Sequence, residues 1–110
     1  LDESVIRAYT RDILFGINYL HRQGIVHCDI KGKNVLVGAN GVKLADFGSA
    51  KKIVDEGENL DMDEKNKVRG TPLWMAPEVL NCVEQGPASD IWSVGCTVVE
   101  MASGRPPFRN

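Results

Sequence analysis

Three short runs hold most of the side chains that could do chemistry. His27-Cys28-Asp29-Ile30-Lys31-Gly32-Lys33-Asn34 brings an imidazole, a thiol, a carboxylate, two amines and an amide together. Asp46-Phe47-Gly48 adds a carboxylate beside a small residue, and Ala76-Pro77-Glu78 adds another acid. A carboxylate can accept a proton. A lysine can neutralise an anion as a point charge. Amide and carboxylate oxygens suit a hard cation. Taken singly, each residue also has an ordinary reading. Asp29 fits a turn, Lys31 a solvated surface amine, and Asn34 a helix cap.

The elements that must position these runs follow from periodicity. Val5, Ile6, Tyr9, Ile13, Ile17 and Leu20 recur at helical spacing, with Arg7, Arg11 and Asp12 on other faces. Gly24 is a natural stop, because glycine adopts the left-handed conformation cheaply. Gly16 costs this helix some propensity. Ile25-Val26 and Val35-Leu36-Val37 read as short strands, and Ala39-Asn40-Gly41 as a tight turn suited to positive φ. Val42, Leu44 and Phe47 suggest a second arm, hence a hairpin. From Lys51 to Arg69 the pattern dissolves into acidic residues, and a mobile, solvated loop is expected. Pro77 to Leu80 reads as a short helix with proline near its start. Ala88 to Ser103 reads as a helix apolar almost all round, charged only at Asp90 and Glu100, and ended by Gly104 and Pro106-Pro107. Such a helix needs burial on every side. The hairpin and the first helix are too little to cover it, so further chain after Asn110 is expected to complete the core. The isolated chain is expected to be marginal or molten.

The balance of 43% hydrophobic and 25% charged residues is that of a globular protein, which argues against a disordered tail or a collagen-like repeat. A length of 110 residues allows one small domain. No apolar run is long enough for a membrane-spanning helix. A net charge of −2 gives no electrostatic reason to expect nucleic acid or an anionic membrane as partner. The odd cysteine count, Cys28, Cys82 and Cys96, fits no zinc spacing and reads as free thiols in a reducing compartment. The chain opens without an initiator methionine, a basic start or an apolar stretch. A fragment of a cytoplasmic protein is expected, with the nucleus as a further location.

The order of the three runs, catalytic loop, then Asp-Phe-Gly, then Ala-Pro-Glu, resembles the protein kinase family across essentially the whole chain. Each run alone is weak; their joint occurrence in order is specific. Asp90-Ile91-Trp92-Ser93-Val94-Gly95 adds a match to the helix that follows Ala-Pro-Glu in that family. The resemblance implies an α+β fold class. Residues 1–110 would be a partial protein-kinase fold, a mainly helical C-lobe with a small β-hairpin region and the N-lobe absent. It also implies ATP and Mg2+ as cofactors. Phosphoryl transfer is largely positioning and charge neutralisation. By motif position, Asp29 would orient the substrate hydroxyl and accept its proton. Lys31 would neutralise the transferring phosphate. Asn34 and Asp46 would bind magnesium, and Leu36 would lie under the adenine ring. Thr71 would bond Asp29 and Lys31 and hold the acceptor site. His27 and Phe47 would pack on each other as structural residues. Glu78 and Asp90 would be structural, although the arginine that usually partners Glu78 is not in this sequence.

Lys31 and Gly70-Thr71-Pro72-Leu73-Trp74-Met75 are similar to the serine/threonine class. The run from Gly70 to Val79 and the ending Gly104-Arg105-Pro106-Pro107-Phe108 resemble MAP kinase kinase kinases. His27 to Val35 and Ala45 to Lys51 look most like plant members. The implied protein substrate is a MAP kinase kinase; the oligomeric state is left open. A pseudokinase, or a truncated module that docks kinases, is the alternative. The intact set Asp29, Lys31, Asn34 and Asp46 favours an enzyme. Residues 1–110 contain no glycine-rich loop or strand lysine, so the fragment alone is expected to be inactive.

Cys28 departs from the pattern. The family places arginine there, which pairs with a phosphate on the activation loop. A thiol cannot do so, and no serine, threonine or tyrosine lies between Ser49 and Thr71. Activity without activation-loop phosphorylation is therefore expected. Fixed charge from Asp55 to Glu64, paired with Lys65, Lys67 or Arg69, could substitute, although a solvated charge run is the plainer reading. For Cys28 itself a buried inert cysteine is preferred over a redox sensor.

Overall fold

A computed structural model describes residues 1–52, 69–81 and 85–107. Helix α1 spans Glu3–Arg22, strand β1 Ile25–Val26, β2 Val35–Gly38, β3 Gly41–Leu44 and β4 Lys51–Lys52. Helix α2 spans Pro77–Leu80 and α3 Pro87–Ser103. Single 3-10 turns cover Gly32–Asn34, Phe47–Ser49 and Pro72–Trp74. The fold is α+β, with two separate antiparallel pairs, β1 with β4 and β2 with β3.

The apolar stripe of α1 buries Ile13, Ile17 and Leu20. Ile13 and Ile17 join Ile30 and Val94 in the core, against which Val35, Val42, Leu44 and Met101 pack. Gly24 closes α1 at φ 73. Gly16 has a packing reason: a Cβ there would lie 3.2 Å from Leu44 Cδ1, so glycine lets β3 come close to α1. One turn earlier, Asp12 Oδ2 accepts the Val42 N–H at 3.2 Å. Helix α1 therefore seats the hairpin by contact and by hydrogen bond.

The hairpin pairs Val35 with Leu44 and Val37 with Val42, so these four share one face, from which Val35, Val42 and Leu44 pack on the core while Val37 stays exposed, and Leu36 with Lys43 lies on the other. Gly41 takes positive φ at the turn, but Asn40 does not. The second arm stops at Leu44, earlier than expected, because Asp46 turns left-handed and Phe47 begins a 3-10 turn.

One expectation is corrected. Lys51 and Lys52 form strand β4, paired with Val26 and Ile25, where loop was expected. Backbone pairing alone makes this strand, and a pair of lysines carries no hydrophobic pattern to announce it. The rest of the acidic stretch, 53–68, lies outside the described residues. Helix α3, as the sequence reading expected, is not covered on every side by the described residues. Val94, Cys96 and Thr97 are covered, but Ile91 is 50%, Trp92 41% and Val99 52% exposed. Within these residues α1 packs most heavily on α3, followed by the Pro72–Trp74 and Gly32–Asn34 turns.

Candidate active site

The catalytic loop starts where β1 ends, and α3 holds it. Asp90 is 1% exposed, a carboxylate that needs partners in such a place. Its Oδ2 accepts the His27 N–H at 2.8 Å and its Oδ1 the Cys28 N–H at 3.0 Å. His21 Nε2 of α1 lies 2.9 Å from Oδ2. These bonds hold Cys28 at φ 71, an uncommon conformation for a side-chain-bearing residue, and turn the chain so that Asp29 follows.

His27 ties this loop to the metal-motif segment. The Asp29 N–H donates to Nδ1 at 3.1 Å, so Nδ1 is the acceptor nitrogen. Nε2 then carries the hydrogen and donates to the Ala45 carbonyl at 2.9 Å. The His27 and Phe47 rings pack at 5.2 Å, tilted by 57°.

Around Asp29 three expected residues meet. Thr71 Oγ1 donates to Asp29 Oδ1 at 2.7 Å and accepts from Lys31 Nζ at 2.8 Å. Lys31 Nζ also lies 3.9 Å from Asp29 Oδ2. Asn34 Nδ2 donates to the Asp29 carbonyl at 2.8 Å and to its Oδ2 at 3.3 Å. With Nδ2 committed to Asp29, the Asn34 amide oxygen points the other way. The Asn34 carbonyl accepts the Ala45 N–H at 2.8 Å, which places Asp46 one residue further along. Asp46 sits at φ 56, and its Oδ1 accepts the Gly48 N–H at 3.3 Å. Leu36 does not join this cluster; it is 56% exposed on the outer face of the hairpin.

A magnesium ion, with its preference for one or two protein oxygens plus phosphate and water, fits this donor set. Asn34 offers an amide oxygen and Asp46 a carboxylate. No group of three histidine, cysteine or acidic side chains suited to a metal occurs among the described residues. A closed all-protein metal site would be the wrong geometry for this chemistry in any case.

Cys28 is 6% exposed, and burial together with the Asp90 charge pushes its thiol up to about 11, against a weaker opposing pull from Lys51 and Arg69. A thiol so protonated and covered has the inert character preferred over the redox reading.

Several supporting residues were not singled out from sequence. Glu100 Oε1 accepts both the Gly32 N–H at 2.9 Å and the Trp74 Nε1–H at 3.0 Å. Lys31 Nζ lies 5.9 Å from the Trp74 ring centre, a cation–π contact. Ser93 Oγ donates to the Trp74 carbonyl at 2.6 Å. Asp90 was named from sequence as structural, and the signal for Glu100 was present as well: a charge in an otherwise apolar helix must find a polar partner.

The sequence model of the family described as Protein kinase domain matches residues 1–110. The chain belongs to the protein kinase family. Its relatives narrow this further. It is 50% identical over 109 residues to mitogen-activated protein kinase kinase kinase 17 of Arabidopsis thaliana, covering 98% of this chain and 27% of that protein. Mitogen-activated protein kinase kinase kinase 3 of the same plant is 50% identical over 107 residues, 96% of this chain and 16% of the relative. The mouse mitogen-activated protein kinase kinase kinase 19 is 53% identical over 110 residues, 98% of this chain and 8% of the relative. The chain thus spans about a quarter or less of the length of these relatives.

Proposed function

We propose that these residues form the catalytic-loop and activation-segment portion of a serine/threonine protein kinase, acting as a MAP kinase kinase kinase on a MAP kinase kinase. The observation that carries this reading is the Thr71 hydroxyl, which bonds both Asp29 and Lys31. It ties the loop beside Ala-Pro-Glu to the acid and the cation of the catalytic loop. ATP, held with magnesium, supplies the phosphoryl group. Asp29 orients the acceptor hydroxyl and takes its proton as the new O–P bond forms and the bond from the γ-phosphorus to the bridging oxygen breaks, ADP leaving. Lys31 neutralises charge on the group in transfer. Asn34 and Asp46 would hold the magnesium ion through their side-chain oxygens. Thr71 keeps Asp29 and Lys31 at fixed separation, so little reorganisation is needed when the acceptor arrives.

In this reading the glycine-rich loop and the strand lysine come from chain outside residues 1–110, and the protein works in the cytoplasm. The kinase reading is supported by relatives named as kinase kinase kinases that match over nearly all of this chain. The test is transfer of the ATP γ-phosphate to a MAP kinase kinase by the full-length protein. Asp29→Asn should reduce kcat by about two to four orders of magnitude, the usual worth of a positioned base. Equal turnover in wild type and Asp29→Asn would refute the assignment. Purified 1–110 should show no turnover.

A further inference from the structure

The loop carrying Thr71 needs an anchor of its own, and the structure gives it one that is neutral. Gln85 is 8% exposed and lies just before α3. Its Oε1 accepts the Arg69 N–H at 3.3 Å, and its Nε2 donates to the Arg69 carbonyl at 2.7 Å. The side-chain amide thus pairs with both polar groups of one backbone residue, as a neighbouring strand would. The Arg69 guanidinium reaches the other way, with Nη1 donating to the Ala50 carbonyl at 2.8 Å. Ala50 follows the turn after Asp46-Phe47-Gly48 and precedes β4. Arg69 therefore joins the two ends of the activation segment, and Gln85 fixes Arg69.

One residue separates Arg69 from Thr71. That residue, Gly70, has φ 109, and a Cβ there would collide with the Cys28 carbonyl. The path from Gln85 to the catalytic cluster is thus short and tightly packed. Asp90, five positions after Gln85 and on α3, holds the backbone of His27 and Cys28. The start of α3 and the residue before its cap therefore set the catalytic loop and the docking loop against each other.

We propose that Gln85 is a positioning residue for the acceptor site, closing the activation segment through Arg69 without a phosphate. This rests on the kinase reading above. An amide bonded to backbone carries no charge to be switched, and it gives Thr71 its place whether or not the segment is phosphorylated. Loss of the clamp would loosen Thr71 from Asp29 and Lys31 while leaving Asn34 and Asp46 in place.

The experiment compares the full-length wild type with Gln85→Ala and Gln85→Glu. The second keeps an acceptor for the Arg69 N–H but sets a carboxylate oxygen against its carbonyl. Three quantities are read: KM for the protein acceptor, KM for ATP, and ATP hydrolysis with water as acceptor. The expected result is a rise of about tenfold in acceptor KM for both variants, the scale of lost hydrogen bonds to a buried amide. KM for ATP and hydrolysis to water should stay near wild type. A purely structural role would lower the melting temperature and the active fraction but leave acceptor KM unmoved. Should Gln85→Ala fail to fold, Gln85→Glu decides alone. An acceptor KM equal to wild type in a folded variant, or acceptor and water reactions lost in parallel, overturns the clamp alone. A wild type that transfers no phosphate to protein overturns the clamp together with the kinase reading.

Discussion

Replacing Glu100 removes one carboxylate oxygen that serves two donors, the Gly32 N–H and the Trp74 indole. Hydrogen bonds to a charged acceptor contribute about 1.5–3 kcal/mol each, and the half-buried position discounts this, so Glu100→Ala should cost about 2–4 kcal/mol. Gly32→Ala attacks the same contact from the other side. A Cβ at Gly32 would lie 2.6 Å from Glu100 Oε2, 2.8 Å from Cδ and 2.9 Å from Oε1, so its three nearest neighbours all belong to that carboxylate. The alanine must push the carboxylate away and so break the bonds that Glu100 makes. Once Glu100 is Ala, that collision is gone. The two substitutions should therefore be strongly non-additive, with the second costing close to nothing in the background of the first, a coupling of about 1–3 kcal/mol. Urea unfolding of the complete kinase domain, followed by tryptophan fluorescence, gives the four stabilities of the cycle. Phosphate transfer to the acceptor should fall with both single variants, since Trp74 lies under the Lys31 ammonium. Costs that add to within about 0.5 kcal/mol would refute the shared contact.

Thr71→Val keeps the shape of the side chain but loses the hydroxyl that bonds Asp29 and Lys31, and steady-state assays should show kcat for protein transfer reduced about 10- to 100-fold. For Cys28, a folded value of about 11 against an ordinary value of 9.0 means that the native state holds the proton longer. Stability from this group is complete below pH 9 and is lost as pH rises toward 11. Cys28→Ala should flatten that loss relative to wild type in pH-dependent unfolding; identical slopes would count against it. Phosphatase treatment of the active full-length enzyme should leave its rate unchanged, and a loss traced to a phosphate between Asp46 and Glu78 would contradict this. Isolated 1–110 should bind a hydrophobic dye through Ile91, Trp92 and Val99; a cooperative monomeric thermal transition without dye binding would argue otherwise.

What could be read from the sequence divides by the range of the interaction. The amphipathic stripe of α1, the β2–β3 hairpin and the stops at Gly24 and Gly104 are local, and period and turn chemistry revealed them. The cluster of Asp29, Lys31, Asn34 and Thr71 was named by motif, because Thr71 lies far along the chain and no local rule joins it to Asp29. Strand β4 was missed, since its lysines pair only through backbone. The Gln85 clamp was missed for a similar reason: a glutamine bonded to backbone leaves no pattern in either partner's side chain. Gly16 was read only as a cost to the helix, and its use became visible once Leu44 lay against it. The apolar character of α3 and its incomplete cover within these residues were both legible in the sequence.

Helix α3 combines two opposed features, and their combination explains how the site stays in register. Its buried residues seat it in the core, and its two charges bond the backbone of the catalytic loop. Asp90 takes the backbone N–H groups of His27 and Cys28, just before Asp29. Glu100 takes the N–H of Gly32, just after Lys31. Ten residues of helix separate these anchors by about 15 Å, a distance fixed by the helix itself. The catalytic loop is thus held on both sides of Asp29 and Lys31 by one rod. The same rod holds Trp74 through Ser93 and Glu100. The acid, the cation and the docking loop therefore share one reference frame, and a change in any one anchor should disturb acceptor geometry before it disturbs nucleotide geometry.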